Sequence, residues 1–160
     1  MRAIGCGAST SARPATASFA ALALAAPALA GFASAGWPAP PSAVPPPLPP
    51  KDLLDVDAYV MTHGHEDHLD PHTLLPYRSA GGRGPFVAPP ETCDKLRKLD
   101  VPDSEIEMIW PNKEFVCGDI TLRGTFAIPF GADDMTHMGF IVKIGNGPTI
   151  YFTGDTRYHE

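Results

Sequence analysis

The pattern of apolar and polar residues predicts regular secondary structure from about residue 51 onward. Residues 56–61 (VDAYVM) form an apolar run of strand length that ends in a polar cluster at residues 62–70. Asp70 can cap a short helix that has Pro71 at its first position, and the apolar residues of segment 91–99 fall on one helical face. Further strands are predicted at residues 86–88, 106–110, 114–116, 120–127, 138–144 and 149–153.

These elements predict a fold of the α/β type, in the α+β sense. The predicted strands outnumber the helices, and the later strands follow one another through turns such as Asn146-Gly147. A doubly wound parallel sheet is therefore not expected.

Composition separates residues 1–50 from a domain at residues 51–160. The first part has no Asp or Glu, and Arg2 and Arg13 are its basic residues. Its proline-rich end, residues 37–50, predicts a semi-rigid linker. The apolar run at residues 19–32 is too short to form a stable membrane anchor, so residues 1–35 are either a secretory signal or an unstructured leader.

The cysteine content bears on the cellular compartment of the protein, and the net charge bears on its binding partners. Cys6, Cys93 and Cys117 have no paired spacing, which predicts a reduced, cytoplasmic protein; export is the alternative if the leader is a signal. The net charge of −6 disfavours a nucleic-acid partner. A small-molecule substrate, even an anionic one, stays compatible because a metal can supply positive charge. The sequence does not indicate an oligomeric state.

The strongest motif is the cluster His63-Gly64-His65-Glu66-Asp67-His68, directly after a predicted strand. Neutral imidazoles and carboxylates are the usual ligands of zinc and related ions, and four such groups within six residues predict two adjacent metal sites. Gly64 lies where a side chain would be expected to obstruct the metals. A structural zinc site is less favoured because such sites are usually rich in cysteine.

A second motif, Gly154-Asp155-Thr156, follows the predicted strand at residues 149–153. Taken alone, Asp155 suits an ordinary turn. Beside the histidine cluster, a carboxylate at a strand end is a candidate bridge between two metals.

The two motifs, in this order, resemble those of the metallo-β-lactamase superfamily. The strings VDAYVMTHGHEDHLD, PPETC, GDITLRGTFA and IYFTGDTRYHE, within residues 51–160, further resemble the L-ascorbate-6-phosphate lactonase family. The resemblance implies an αββα sandwich, of which this chain would hold about half. It is also expected that opening strands and a later histidine ligand are missing from the chain, as in a fragment.

The resemblance implies that two divalent ions, Zn or Mn, generate a hydroxide that attacks a cyclic ester of a small sugar acid, with or without a phosphate group. His63 and His65 would hold the first metal and Asp67 and His68 the second, with Asp155 between them. Asp67, His68 and Asp155 would act in catalysis.

The remaining ligand of the first metal is open at this stage. His137 is the candidate, with Asp134 as an alternative, whereas His72 and His159 are expected to be surface residues. The competing functions are a metal-dependent phosphodiesterase or nuclease of the same superfamily, and a metal-binding fragment without catalysis.

Overall fold

The computed structural model describes residues 22–24, 49–128 and 137–158. Within them, eight strands form two four-stranded sheets, and two α-helices pack on one of the sheets. The strands are β1 (Leu22–Leu24), β2 (Ala58–Val60), β3 (Phe86–Ala88), β4 (Ile106–Met108), β5 (Glu114–Cys117), β6 (Ile120–Phe126), β7 (Met138–Ile144) and β8 (Thr149–Phe152). The α-helices are α1 (Pro71–Ser79) and α2 (Pro90–Lys98), and short 3-10 helices cover Pro50–Leu53 and Asp103–Glu105.

The first sheet has the order β1-β2-β3-β4, and every neighbouring pair is parallel. Parallel strands need crossover connections, and here α1 and α2 supply two of them. Both β2 and β3 are buried along their whole length. Their uninterrupted apolar sequences follow from burial on both faces of the sheet.

The second sheet, β5-β6-β7-β8, is antiparallel throughout. Tight turns join β5 to β6 and β7 to β8, where Gly118 and Gly145 have φ values of 59° and 47°. Glycine adopts these left-handed conformations without strain. Buried and exposed residues alternate along β5, as expected for a sheet with one face against the core.

Two apolar clusters hold three layers together. One lies between the sheets and includes Val60, Val87, Leu122 and Phe140. The other lies between the parallel sheet and the helices and contains buried side chains of both layers. The latter residues include Tyr59, Met61, Phe86, Leu74, Tyr77, Cys93 and Leu96.

The mixed fold class and the order of the elements agree with the predictions, with boundaries shifted by a few residues. Asp70 caps α1 as expected, since its carboxylate accepts the His72 N–H at 2.8 Å. The strand at Leu22–Leu24 was not predicted, because an Ala-rich run lacks the β-branched residues typical of strands. The parallel pairing of the first sheet was not predicted either, since hairpin turns mark only the second.

Cysteine chemistry departs from the sequence-based expectation. Cys93 is a free buried thiol, but Cys117 is disulfide-bonded. The spacing of the cysteines did not predict this bond, because spacing alone does not reveal which thiols the fold brings together.

Asp134, His159 and most of the predicted linker lie outside the described residues. Within the described ranges, no helix is both long and apolar enough to cross a membrane.

Candidate metal centre

The loop after β2 carries the histidine cluster at the edge of the parallel sheet. The strand ends at Val60, and two main-chain hydrogen bonds then close a turn within the cluster. The N–H groups of His68 and Leu69 donate to the carbonyl oxygen of His65 at 2.9 and 2.7 Å. This turn brings the His68 ring back beside the His63 ring, with their centroids 3.9 Å apart.

His63 is the most enclosed member of the cluster, with a side chain that is fully buried. Burial, reinforced by the nearby imidazoles of His68 and His137, lowers the pKa of His63 to about 2. A neutral imidazole keeps a lone pair for a metal. His65, by contrast, is exposed, so the centre opens to solvent on the side of this residue.

The antiparallel sheet supplies the other two ligand candidates. His137 directly precedes β7, and Asp155 follows β8, the strand that pairs with β7. The N–H of Met138 donates to the carbonyl oxygen of Thr62 at 3.0 Å, which ties the start of β7 to the histidine loop. The two sheets therefore meet where their strand-end loops carry the polar residues.

Gly154 allows this close approach of the two sheets. Its φ is +59°, and a β-carbon there would lie 2.4 Å from the carbonyl oxygen of Met138 and 3.0 Å from Cβ of Thr62. A larger residue would therefore push Asp155 away from the histidine loop. This explains the glycine of the Gly-Asp-Thr motif by steric contact.

The first ligand group consists of His63, His65 and His137, whose ring nitrogens lie within 4.8 Å of one another. Nε2 of His63 and Nδ1 of His65 are 3.1 Å apart. His137 Nδ1 donates to the main-chain carbonyl oxygen of Asp155 at 3.2 Å, which leaves Nε2 as the nitrogen with a lone pair. The candidate that the sequence left open thus joins the first two histidines.

The second ligand group consists of His63, His68 and Asp155, again within 4.8 Å. Asp155 Oδ1 lies 3.2 Å from His68 Nε2, and its Oδ2 lies 3.9 Å from His63 Nε2. The two groups share His63. Asp67 belongs to neither group, although its Oδ2 lies 3.6 Å from His68 Nε2. His72 is exposed on α1, as expected for a surface residue.

Thr62 is a residue of the centre that was not predicted from the sequence. Its Oγ1 lies 3.1 Å from Nδ1 of His63 and 3.1 Å from Nδ1 of His68. A hydroxyl oxygen has two lone pairs, so it can accept from both N–H groups and leave both Nε2 atoms for metal ligation. Its position directly before the first histidine was the available signal.

The donor set fits a divalent metal. Imidazole nitrogens and a carboxylate oxygen suit zinc and manganese. The 3.1 Å between the ring nitrogens of His63 and His65 is close to the roughly 3.3 Å that separates two ligands about 2.0–2.1 Å from one tetrahedral ion. An opening to solvent beside His65 matches a catalytic site better than a closed structural one.

Comparison with known proteins agrees with this geometry. Residues 30–160 match the family described as the beta-lactamase superfamily domain. The chain belongs to this family. The superfamily predicted from the two motifs is therefore confirmed, and the two-sheet arrangement is a partial metallo-β-lactamase fold. The narrower resemblance to the L-ascorbate-6-phosphate lactonases stays a prediction.

This beta-lactamase superfamily chain is also similar to several individual proteins. It is 31% identical over 116 residues to a UPF0282 protein of Sulfurisphaera tokodaii. This match covers 63% of this chain and 36% of that protein. A possible metal-dependent hydrolase from Veillonella parvula has a TM-score of 0.55 and 26% identity, covering 71% of this chain and 45% of that one. An isothiocyanate hydrolase from Delia radicum gut bacteria has a TM-score of 0.56 and 22% identity, with the same coverage. The chain thus spans about a third of the length of the curated relatives it matches.

Proposed function

We propose that this chain contributes the metal centre of a metal-dependent hydrolase that opens the lactone of a small sugar acid. The observation that carries the proposal is the convergence of His63, His65, His68, His137 and Asp155 from three separate segments. Such a donor set at the junction of two sheets suits hydrolysis better than storage, because its exposed side admits a substrate.

Two divalent ions are expected in this centre. The three-histidine group would hold the first, and His68 with Asp155 would hold the second. His63 cannot serve both ions through Nε2, since a neutral imidazole has one lone pair. Asp67, whose carboxylate lies 3.6 Å from His68, is the group available to complete the second ligand set. A divalent ion at such a site supplies Lewis acidity, which activates water and polarises a carbonyl oxygen.

The residues of the chain prepare the centre for this chemistry. Thr62 and the main-chain carbonyl of Asp155 fix the ring orientations of His63, His68 and His137. The carboxylate of Asp155 is partly exposed beside His68, at the solvent-facing side, where it can accept a proton. These roles are compatible with Asp67, His68 and Asp155 acting in catalysis.

The lactone substrate rests on the resemblance of residues 51–160 to the lactonase family. The likeness to the possible metal-dependent hydrolase of Veillonella parvula supports the reaction class. The acidic net charge of the chain, −6, disfavours a phosphodiester in a nucleic acid.

Metal content and hydrolysis measured on the same samples test the proposal. The 160-residue chain would be purified from medium supplemented with zinc and manganese, then analysed for metal per chain. His65→Ala and Asp155→Ala should each lose metal, whereas the matched control His72→Ala should keep it, because His72 is exposed outside both ligand groups. Each sample would then be assayed with a sugar lactone and with a phosphodiester.

The outcomes separate the competing functions. About two ions per chain and lactone opening that is lost in both site variants would support the proposal. Faster cleavage of the phosphodiester would replace lactonase with phosphodiesterase. Bound metal with neither activity would identify a metal-binding chain without catalysis, and wild-type protein without metal would refute the metal centre.

A further inference from the structure

Lys95 lies on α2, outside both metal motifs, yet it contacts the histidine loop. We infer that Lys95 is a positioning residue that holds His63 and His65 in the geometry of a ligand pair. The inference deepens the proposed function and rests on it for the metal, but the contact itself is a property of the chain. Three features of this contact support a positioning role.

The first feature is a hydrogen bond to the peptide between the two ligands. Nζ of Lys95 donates to the carbonyl oxygen of Gly64 at 2.9 Å. That carbonyl belongs to the peptide unit that joins Gly64 to His65, and His63 precedes it directly. A charged donor makes this bond stronger than a bond between neutral groups. Its direction fixes the peptide plane from which the second histidine projects.

The second feature is the fit between Lys95 and a residue without a side chain. A β-carbon on Gly64 would lie 2.8 Å from Cδ of Lys95 and 3.3 Å from its Cε and Nζ. The lysine stem therefore occupies the space that a side chain at position 64 would need. A side chain at position 64 would therefore meet Lys95; that it would also obstruct the metals stays a prediction.

The third feature is the rigid support of Lys95. Its neighbours on α2, Cys93 and Leu96, are fully buried against the parallel sheet. Cys93 Sγ also donates to the carbonyl oxygen of Ala88 at the end of β3. On the exposed side, Glu91 Oε1 lies 3.8 Å from Lys95 Nζ and helps to direct the ammonium group. Because α2 is packed firmly against the sheet, a side chain on this helix can restrain the backbone of the histidine loop.

Positioning predicts effects on both loop order and metal affinity. Lys95→Met keeps the stem and removes the charge and donor, whereas Lys95→Arg keeps both. Lys98→Met, an exposed residue on the same helix, is the matched control. The amides of His68 and Leu69, which close the turn within the loop, report loop order by hydrogen exchange in metal-free protein. Competition with a chelator reports zinc affinity.

The expected result is faster amide exchange in Lys95→Met and a loss of zinc affinity of about 10- to 100-fold, as for other groups that orient metal ligands. Lys95→Arg should retain most of both properties, and Lys98→Met should equal wild type. Gly64→Ala should displace the lysine and imitate Lys95→Met, with little added effect when the two are combined.

Three results would overturn all or part of the inference. Unchanged exchange in Lys95→Met would show that the lysine does not hold the loop, whether or not the wild-type chain binds zinc. Faster exchange with unchanged zinc affinity would make the contact structural and unrelated to the ligands. A wild-type chain without zinc affinity would refute the proposed function and, with it, the metal-positioning role, while the exchange data would still decide the loop contact.

Discussion

The two ligand groups share His63 but differ in chemistry and in completeness. The first contains three histidines, two of them buried, whereas the second adds His68 and a partly exposed carboxylate to the shared residue. Because His63 can give its lone pair to only one ion, the proposed two-metal centre would use all three histidines of the first group for one ion, and the second ion would need Asp67 as well. The difference predicts two equivalents of metal with unequal affinity, the tighter one held by histidines.

Separate removal of His137 and the Asp155 carboxylate should break the centre in two different ways. The main-chain carbonyl of Asp155 accepts a hydrogen bond from His137 of the first group, whereas the side chain of Asp155 belongs to the second group. Asp155→Asn keeps the carbonyl that accepts from His137, so only the second, weaker equivalent should be lost. His137→Gln should remove the tighter equivalent.

Zinc titration of each variant, followed by calorimetry, measures this contrast. His72→Ala supplies the baseline for a histidine lost from the surface. Equal losses in both variants would mean that the two groups form a single site, and the distinction between them would have to be abandoned.

Thr62→Val should weaken both equivalents together, by about 10- to 100-fold. The hydroxyl lies 3.1 Å from Nδ1 of a histidine in each group, and valine keeps its shape without accepting either N–H. Thr62→Ser should restore zinc affinity, measured by chelator competition.

Thr92→Val is the matched control for loss of a buried hydroxyl. Thr92 Oγ1 is buried, and within the described residues it has no hydrogen-bond partner. This variant should therefore leave zinc affinity unchanged. A loss confined to one equivalent in Thr62→Val would show that the hydroxyl orients only one histidine.

Local sequence predicted the elements of the fold better than their partners. The caps, turns and alternation that mark α1 and β7 act over a few residues, and these elements appear where expected. Parallel pairing of β2 with β3 joins residues that a helix separates, so no local pattern encodes it. The pairing of β1 with β2 is likewise not encoded locally, because the two strands lie far apart in the sequence.

The candidate site shows the same division. His63, His65 and Asp155 were evident from their motifs, because their chemistry is concentrated in short strand-end loops. His137 lies outside both motifs, and only the pairing of β7 with β8 brings it to the centre. Lys95 was not predicted at all, since its contact with Gly64 spans 31 residues. Candidate ligands can therefore be predicted from short motifs, whereas the residues that would orient them depend on the tertiary fold.

The shared ligand should also leave a signature in the stability of the metal-free chain. His63 has a pKa of about 2 when folded, whereas an unfolded histidine titrates near 6.5. Between these values the unfolded chain binds one more proton at this site, so the free energy of unfolding rises with pH up to about 6.5 and is unaffected by His63 above it. As the pH falls below 6.5, His63 should lower the free energy of unfolding by on the order of 1 kcal/mol per pH unit. Urea unfolding of wild type and His63→Gln, with a chelator present, should show a steeper rise of the free energy of unfolding with pH in the wild type; equal slopes would mean that folding does not lower the pKa of His63.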